Sequence, residues 1–189
     1  MMRVSVIERA LDRFFHFYPG VVAIVGAKDP SHGANFMPAV WNTGLSFDPP
    51  LFGVSISPKR HTYRLLENEA PWSVSFLSFE HAELAARLGS TSGRDLNKVK
   101  AFDLEVLWGK ALEVPILKNA FAAYELEPAG RVKTGDHDLF IGRVRAVWED
   151  GAAFNEEGIP LPERVRPLLY FGRFRYGSPD EETVRLKFR

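Results

Sequence analysis

Residues 35–66 read NFMPAVWNTGLSFDPPLFGVSISPKRHTYRLL, from Asn35 to Leu66. Two extended runs, Phe36 to Phe47 and Leu51 to Ile56, flank Asp48-Pro49-Pro50. Successive prolines fix φ and remove N–H donors, so the chain must turn there. The second run leads into Ser57-Pro58-Lys59-Arg60. Ser57 reads as an N-cap and Pro58 as the first residue of a helix that carries through Leu66. Helix-start N–H groups and the positive end of the dipole favour an anion, and Lys59, Arg60 and Thr62 add charge and a hydroxyl. Upstream, Ala39-Val40-Trp41-Asn42-Thr43-Gly44-Leu45-Ser46 supplies an indole, an amide and hydroxyls, the groups a flat heteroaromatic ring with a polar edge requires. Each half also has a plainer reading: a solvated helix start, and a sheet edge with Trp41 in the core. The working expectation is a phosphorylated, ring-bearing cofactor.

The remaining composition narrows the class. The chain has 189 residues, 46% hydrophobic and 25% charged, which fits one soluble globular domain over 1–189. Its 24 basic and 24 acidic residues balance, so no net field favours nucleic acid or an anionic membrane. Cysteine is absent, which excludes disulfides, thiol catalysis and thiolate metal sites. The five histidines (His16, His32, His61, His81, His137) lack metal-ligand spacing, and no metal is expected. No apolar run is long enough to cross a bilayer, and the charged N-terminus does not read as a signal peptide. The expected location is cytoplasmic.

Around the opening stretch the pattern is strand-rich. An N-terminal helix is expected over 5–15, then a strand over Val21–Ala27 that is apolar on both faces. Trp72–Leu77 alternates as a strand. Ser78–Leu88 reads as a helix stopped by Gly89, and Leu96–Phe102 as a short helix capped by Asp95. Leu104–Trp108 is a short strand. Ala120–Val132 and Asp138–Trp148 are long strands joined through Gly135-Asp136-His137, and Leu168–Phe171 is a final strand before a charged, mobile tail over 178–189. Many strands with few helices indicate an antiparallel barrel or sandwich. His137 at a strand mouth can contact a ligand or move a proton, although such turn residues also serve turns alone. Ser90–Lys98 offers hydroxyls, Arg94 and Lys98 for phosphate. Its Gly89-Ser90-Thr91-Ser92-Gly93 is not a nucleophile elbow, because Thr91 is central and no strand leads into it. G-x-G-x-x-G, the Walker A loop and H-E-x-x-H are all missing.

Read in order, these segments resemble the flavin reductase-like family, the FMN-binding split-barrel proteins, from about Phe17 to Gly177. The motifs are Val21-Val-Ala-Ile-Val, then Asn35-x-x-Pro38-x-x-x-Thr43-x-x-Ser46-Phe-Asp-Pro-Pro-Leu51, then Val54-Ser-Ile-Ser-Pro-Lys-Arg-His-Thr-Tyr63. Ser92-Gly-Arg-Asp95-x-x-Lys98, Gly135-Asp-His137 before Leu139-Phe-Ile-Gly142, and Leu169-Tyr-Phe-Gly172 before Tyr176 follow. The resemblance implies a mainly β fold, a six-stranded antiparallel Greek-key split barrel with flanking α-helices, working as a homodimer. It implies FMN, with FAD open, and NAD(P)H as co-substrate. The ring would lie against Trp41, Asn42 and Thr43. The ribityl chain and phosphate would run to Ser57, Lys59, Arg60 and Thr62, helped by Arg94 and Lys98. Ala39, Val40, Ser46, Ser55, His61 and Tyr170 complete the implied cofactor-binding set. His137 would contact flavin or nicotinamide. The implied activity is an NAD(P)H-dependent flavin reductase that hands electrons to an oxygenase partner or an acceptor such as ferric iron. The alternative is an FMN-binding electron carrier or flavin store without efficient turnover. A heme- or pyridoxamine-linked barrel is a third possibility.

Overall fold

The computed structural model describes residues 10, 11 and 14–179. The expected helix over 5–15 and the tail over 178–189 fall mostly outside them. Strand β1 (Gly20–Val21) is followed by β2 (Ala23–Asp29), β3 (Gly33–Ala39), β4 (Asn42–Phe47) and β5 (Pro50–Ile56). Then come α1 (His61–Leu66), β6 (Trp72–Phe76), a 3-10 turn at Phe79–His81, α2 (Ala82–Ser90) and α3 (Lys98–Ala101). The second half holds β7 (Val106–Trp108), β8 (Pro115–Leu117), β9 (Ala122–Lys133), β10 (Asp138–Glu149), β11 (Leu169–Gly172) and β12 (Arg175–Gly177).

Seven strands form the principal antiparallel sheet, in the order β3-β2-β6-β9-β10-β5-β4. That is one more than the six expected, because the run from Phe36 to Phe47 breaks at Val40-Trp41 into β3 and β4. Asn42 enforces the break: its Nδ2 donates to the carbonyls of Val21 and Ala39, each at 2.9 Å, and Val40 at 3.2 Å. The anticipated irregularity at Gly44 is a register shift between Gly44 and Ser46. The sheet curls so that β3 meets β5. Ala23, Val25, Ala27, Val54, Trp72, Val74 and Leu126 fill its interior. The other face of β2 and β3 presents Ile24, Ala34 and Phe36, with Val22 just ahead of β2, to Ala85 and Leu88 of α2. Thus β2 is apolar on both faces because both are covered. Burying side chains such as Ile24 and Phe36 contributes about 1.5–3 kcal/mol each.

Three local expectations change. Ser57–Arg60 is a turn, closed by Arg60 N–H to Ser57 O at 3.0 Å, and α1 begins only at His61 with Arg60 as N-cap. Ser followed by Pro suits the first two positions of a β-turn as well as a helix start, and here the turn prevails. Helix α2 runs through Gly89 to Ser90. Gly89 is needed for close approach, since a Cβ there would lie 3.0 Å from Pro38 Cγ of β3. Helix α3 starts later than expected, capped by Asn97, whose side chain accepts from Lys100 N–H at 3.0 Å.

Candidate functional site

Register brings distant residues to one end of the curled sheet. Ile56 of β5 pairs with Asp138 of β10, so Ser57 and His137 leave the sheet side by side. Ser55 N–H donates to Trp41 O at 2.8 Å, which holds the β3–β4 bend against the same edge. The His137 and Trp41 rings lie 4.7 Å apart between centroids. Trp41 Nε1 donates to Tyr18 OH at 3.1 Å. The Tyr18 ring meets Tyr170 edge-on at 5.6 Å, and Tyr170 in turn lies 5.2 Å from Tyr176.

These rings border a cavity of about 300 Å³. Ala39, Val40, Trp41, Ser55, Ser57, Arg60, His137 and Tyr170 line it among the expected residues. Tyr18, Phe174 and Tyr176 line it too and were not anticipated. Aromatic residue type was visible in the sequence, but nothing local tied these chain-end rings to Trp41. A second cavity of about 100 Å³ adjoins the first through Met37, Arg60 and Gly89, which line both. Lys59, Arg60, His61, Thr62 and Lys98 of the expected set line this smaller space, together with Asn35 and Ser92. Asn42, Thr43, Ser46 and Arg94 line neither cavity. Asn42 spends its amide on backbone carbonyls, and Thr43 is exposed with its hydroxyl donating to Gly44 O at 3.1 Å. Arg94 is exposed on the segment after α2.

The smaller cavity is strongly cationic. Lys98 is 3% exposed, and its ammonium donates to Phe36 O at 2.9 Å and Leu88 O at 2.8 Å. Burial, followed by repulsion from Arg60, lowers its pKa to about 8. His61 Nε2 lies 2.8 Å from Asp29 Oδ2. Burial would raise the Asp29 pKa, but hydrogen bonds from His61 and Ser31 N–H outweigh it and lower it. Thr62, buried, accepts from Asn35 Nδ2 at 2.9 Å, while Asn35 Oδ1 is buried without a partner. No carboxylate lines this space. Buried Lys98 and exposed Arg60 repel each other across this space, and an anion between them relieves that repulsion. At the mouth of the larger cavity, the hydrogen bond from His137 Nδ1 at 2.8 Å lowers the Asp136 pKa. Among the described residues no group of three or more His, Asp or Glu could hold a metal ion, and no helix is long and apolar enough to cross a membrane.

The family model described as "Flavin reductase like domain" matches residues 15–178. A crystal structure of an FMN-binding protein from Thermus thermophilus with bound 1-cyclohex-2-enone is 48% identical. The match covers 98% of this chain and 100% of that one, with a TM-score of 0.85. An uncharacterised protein of Aeropyrum pernix is 34% identical over 90% of this chain, which spans 63% of that relative's length. An NADH-dependent flavin reductase of Pseudomonas fluorescens is 28% identical over 84% of this chain and 82% of its own. The chain belongs to the flavin reductase-like family, and its curled antiparallel sheet is the split barrel of that family.

Proposed function

We propose that the chain binds FMN across the two joined cavities and acts as an NAD(P)H-dependent flavin reductase. The observation that carries this is their juxtaposition: a ring-lined space opens directly into a recess where Arg60 and Lys98 face no carboxylate. Trp41, Tyr18 and Tyr170 would pack the flavin ring, and Ser55 and Ser57 would lie along its polar edge. Arg60, Lys98, Lys59, His61 and Thr62 would hold the phosphate. When bound, FMN would supply the redox chemistry, with NAD(P)H as hydride donor and an oxygenase partner or ferric iron as electron acceptor. The protein's share is to orient the rings and exclude water. The enone bound to the Thermus relative makes a small cyclic carbonyl compound a further acceptor to assay. Edge strand β4 leaves Leu45 41% and Phe47 102% exposed, apolar surface that a second copy of the chain would cover.

The test is anaerobic stopped-flow mixing of the FMN-loaded protein with NADH and with NADPH, following the loss of flavin absorbance. Reduction by either one supports the reading and names the donor; a flavin that stays oxidised with both removes the reductase activity. Replacing His137 with Ala is expected to slow reduction about 10-fold or more through lost positioning of the nicotinamide. The rate should suffer more than the affinity for FMN. A second reading, an electron carrier or flavin store without efficient turnover, draws on Phe174. That ring is 73% exposed at the rim of the larger cavity, in the path of an entering nicotinamide.

A further inference from the structure

The smaller cavity holds a buried amine whose hydrogen-bond inventory changes with its charge. Lys98 makes two hydrogen bonds, both to carbonyls, and is 3% exposed. A neutral amine has two N–H groups, and those two carbonyls use both. The third donor exists only in the ammonium form, and only an acceptor entering the cavity gives it a use. The charged groups around it favour the neutral form while the cavity holds no anion. The 57–61 segment contributes Lys59, Arg60 and His61, and His61 is tied to Asp29 of β2. Strand β3 offers only the neutral Asn35. Helix α2 contributes Arg87, which turns onto the Phe102 ring at 4.6 Å, and the segment before α3 contributes Arg94 and Asp95, both exposed.

We infer that, in mildly alkaline solution, the recess takes its phosphate together with a proton, Lys98 being partly amine before the phosphate enters and ammonium once it is seated. This rests on the reading of the recess as a phosphate site. Desolvation and Arg60 already place the Lys98 pKa at about 8, and an anion in contact offsets both by favouring the charged form. The sign follows from linkage. The filled site holds more protons than the empty one, so affinity is full below about 8 and declines as pH rises through that value. The phosphomonoester's own second ionisation, near ~6, lies below this window. The device ties retention of a phosphorylated flavin to pH and leaves an unphosphorylated one indifferent.

Calorimetric titration of the full chain with FMN and with riboflavin, in two buffers of different ionisation enthalpy, counts the protons. The expected uptake with FMN is about 0.5 proton at pH 8, rising towards one by about pH 9, and none with riboflavin. The Lys98→Met variant should show no uptake with FMN. Equal proton counts for the two flavins in the wild-type chain would overturn the proposal. Sulfate, a doubly charged oxyanion that does not titrate here, supplies an arm independent of flavin. NMR of the lysine Nζ signals should show the Lys98 midpoint rising to ~10 or above with sulfate, and an unmoved midpoint would overturn the proposal. A chain that binds neither flavin yet shows the sulfate response loses the flavin reading and keeps the proton-linked anion site.

Discussion

Arg60→Ala is expected to weaken FMN by about 10- to 150-fold and riboflavin by no more than about 3-fold, because only FMN carries the phosphate. That range is one lost charge-assisted hydrogen bond, at about 1.5–3 kcal/mol. Arg60 is placed for this role by the turn that precedes α1, which puts its side chain on the wall shared by both cavities. Removal also relieves its repulsion of Lys98, so part of the loss returns as a Lys98 pKa nearer its ordinary value. Fluorescence titration of both ligands at neutral pH measures the ratio. Equal losses for FMN and riboflavin would move the phosphate away from this recess.

The largest stability effect is expected far from the cavities, at Glu125. This carboxylate is fully buried in β9. It accepts from Ala111 N–H at 3.1 Å, Leu112 N–H at 2.7 Å and Trp148 Nε1 at 2.8 Å. The three donors come from the β7–β8 connection and from β10, so one side chain clamps a surface turn onto the sheet. Gly109 is required for that approach, because a Cβ at this position would collide with the carboxylate. Glu125→Ala takes the shared acceptor from three part-buried donors and opens a cavity, at a cost of about 2–5 kcal/mol. Glu125→Gln keeps the shape but turns an amide N–H₂ towards a donor, and should cost about 1–3 kcal/mol. Urea unfolding midpoints read both. A Glu125→Ala midpoint close to that of the wild type would show that the turn is held by other contacts.

The sequence made the strand–turn order and the basic cluster after β5 legible because both are local. Pro49-Pro50 forces its turn regardless of context, and a basic cluster after a strand announces itself. Register and long-range assembly were not legible. Asn42 looked like a ligand group by type, yet its amide holds the bend at Ala39–Val40, a fact that depends on where Val21 passes. Ser57-Pro58 satisfied both a helix cap and a β-turn, and only the packing of β5 against β10 decides between them. Tyr18, Phe174 and Tyr176 reach the larger cavity from opposite ends of the described chain through β1–β11 and β11–β12 pairing. Glu125 carried no signal at all, since its place in Tyr124-Glu125-Leu126-Glu127 matches ordinary strand alternation.

The central claim is that the ring-lined cavity and its cationic recess together hold FMN, and thermal unfolding with FMN present tests it most directly. At 100 times its dissociation constant a ligand that binds only the folded chain adds about 2.7 kcal/mol. For a chain of this size that is about 5–10 °C in Tm. Riboflavin at the same concentration should give a distinctly smaller rise. An unchanged Tm at saturating FMN would contradict the account.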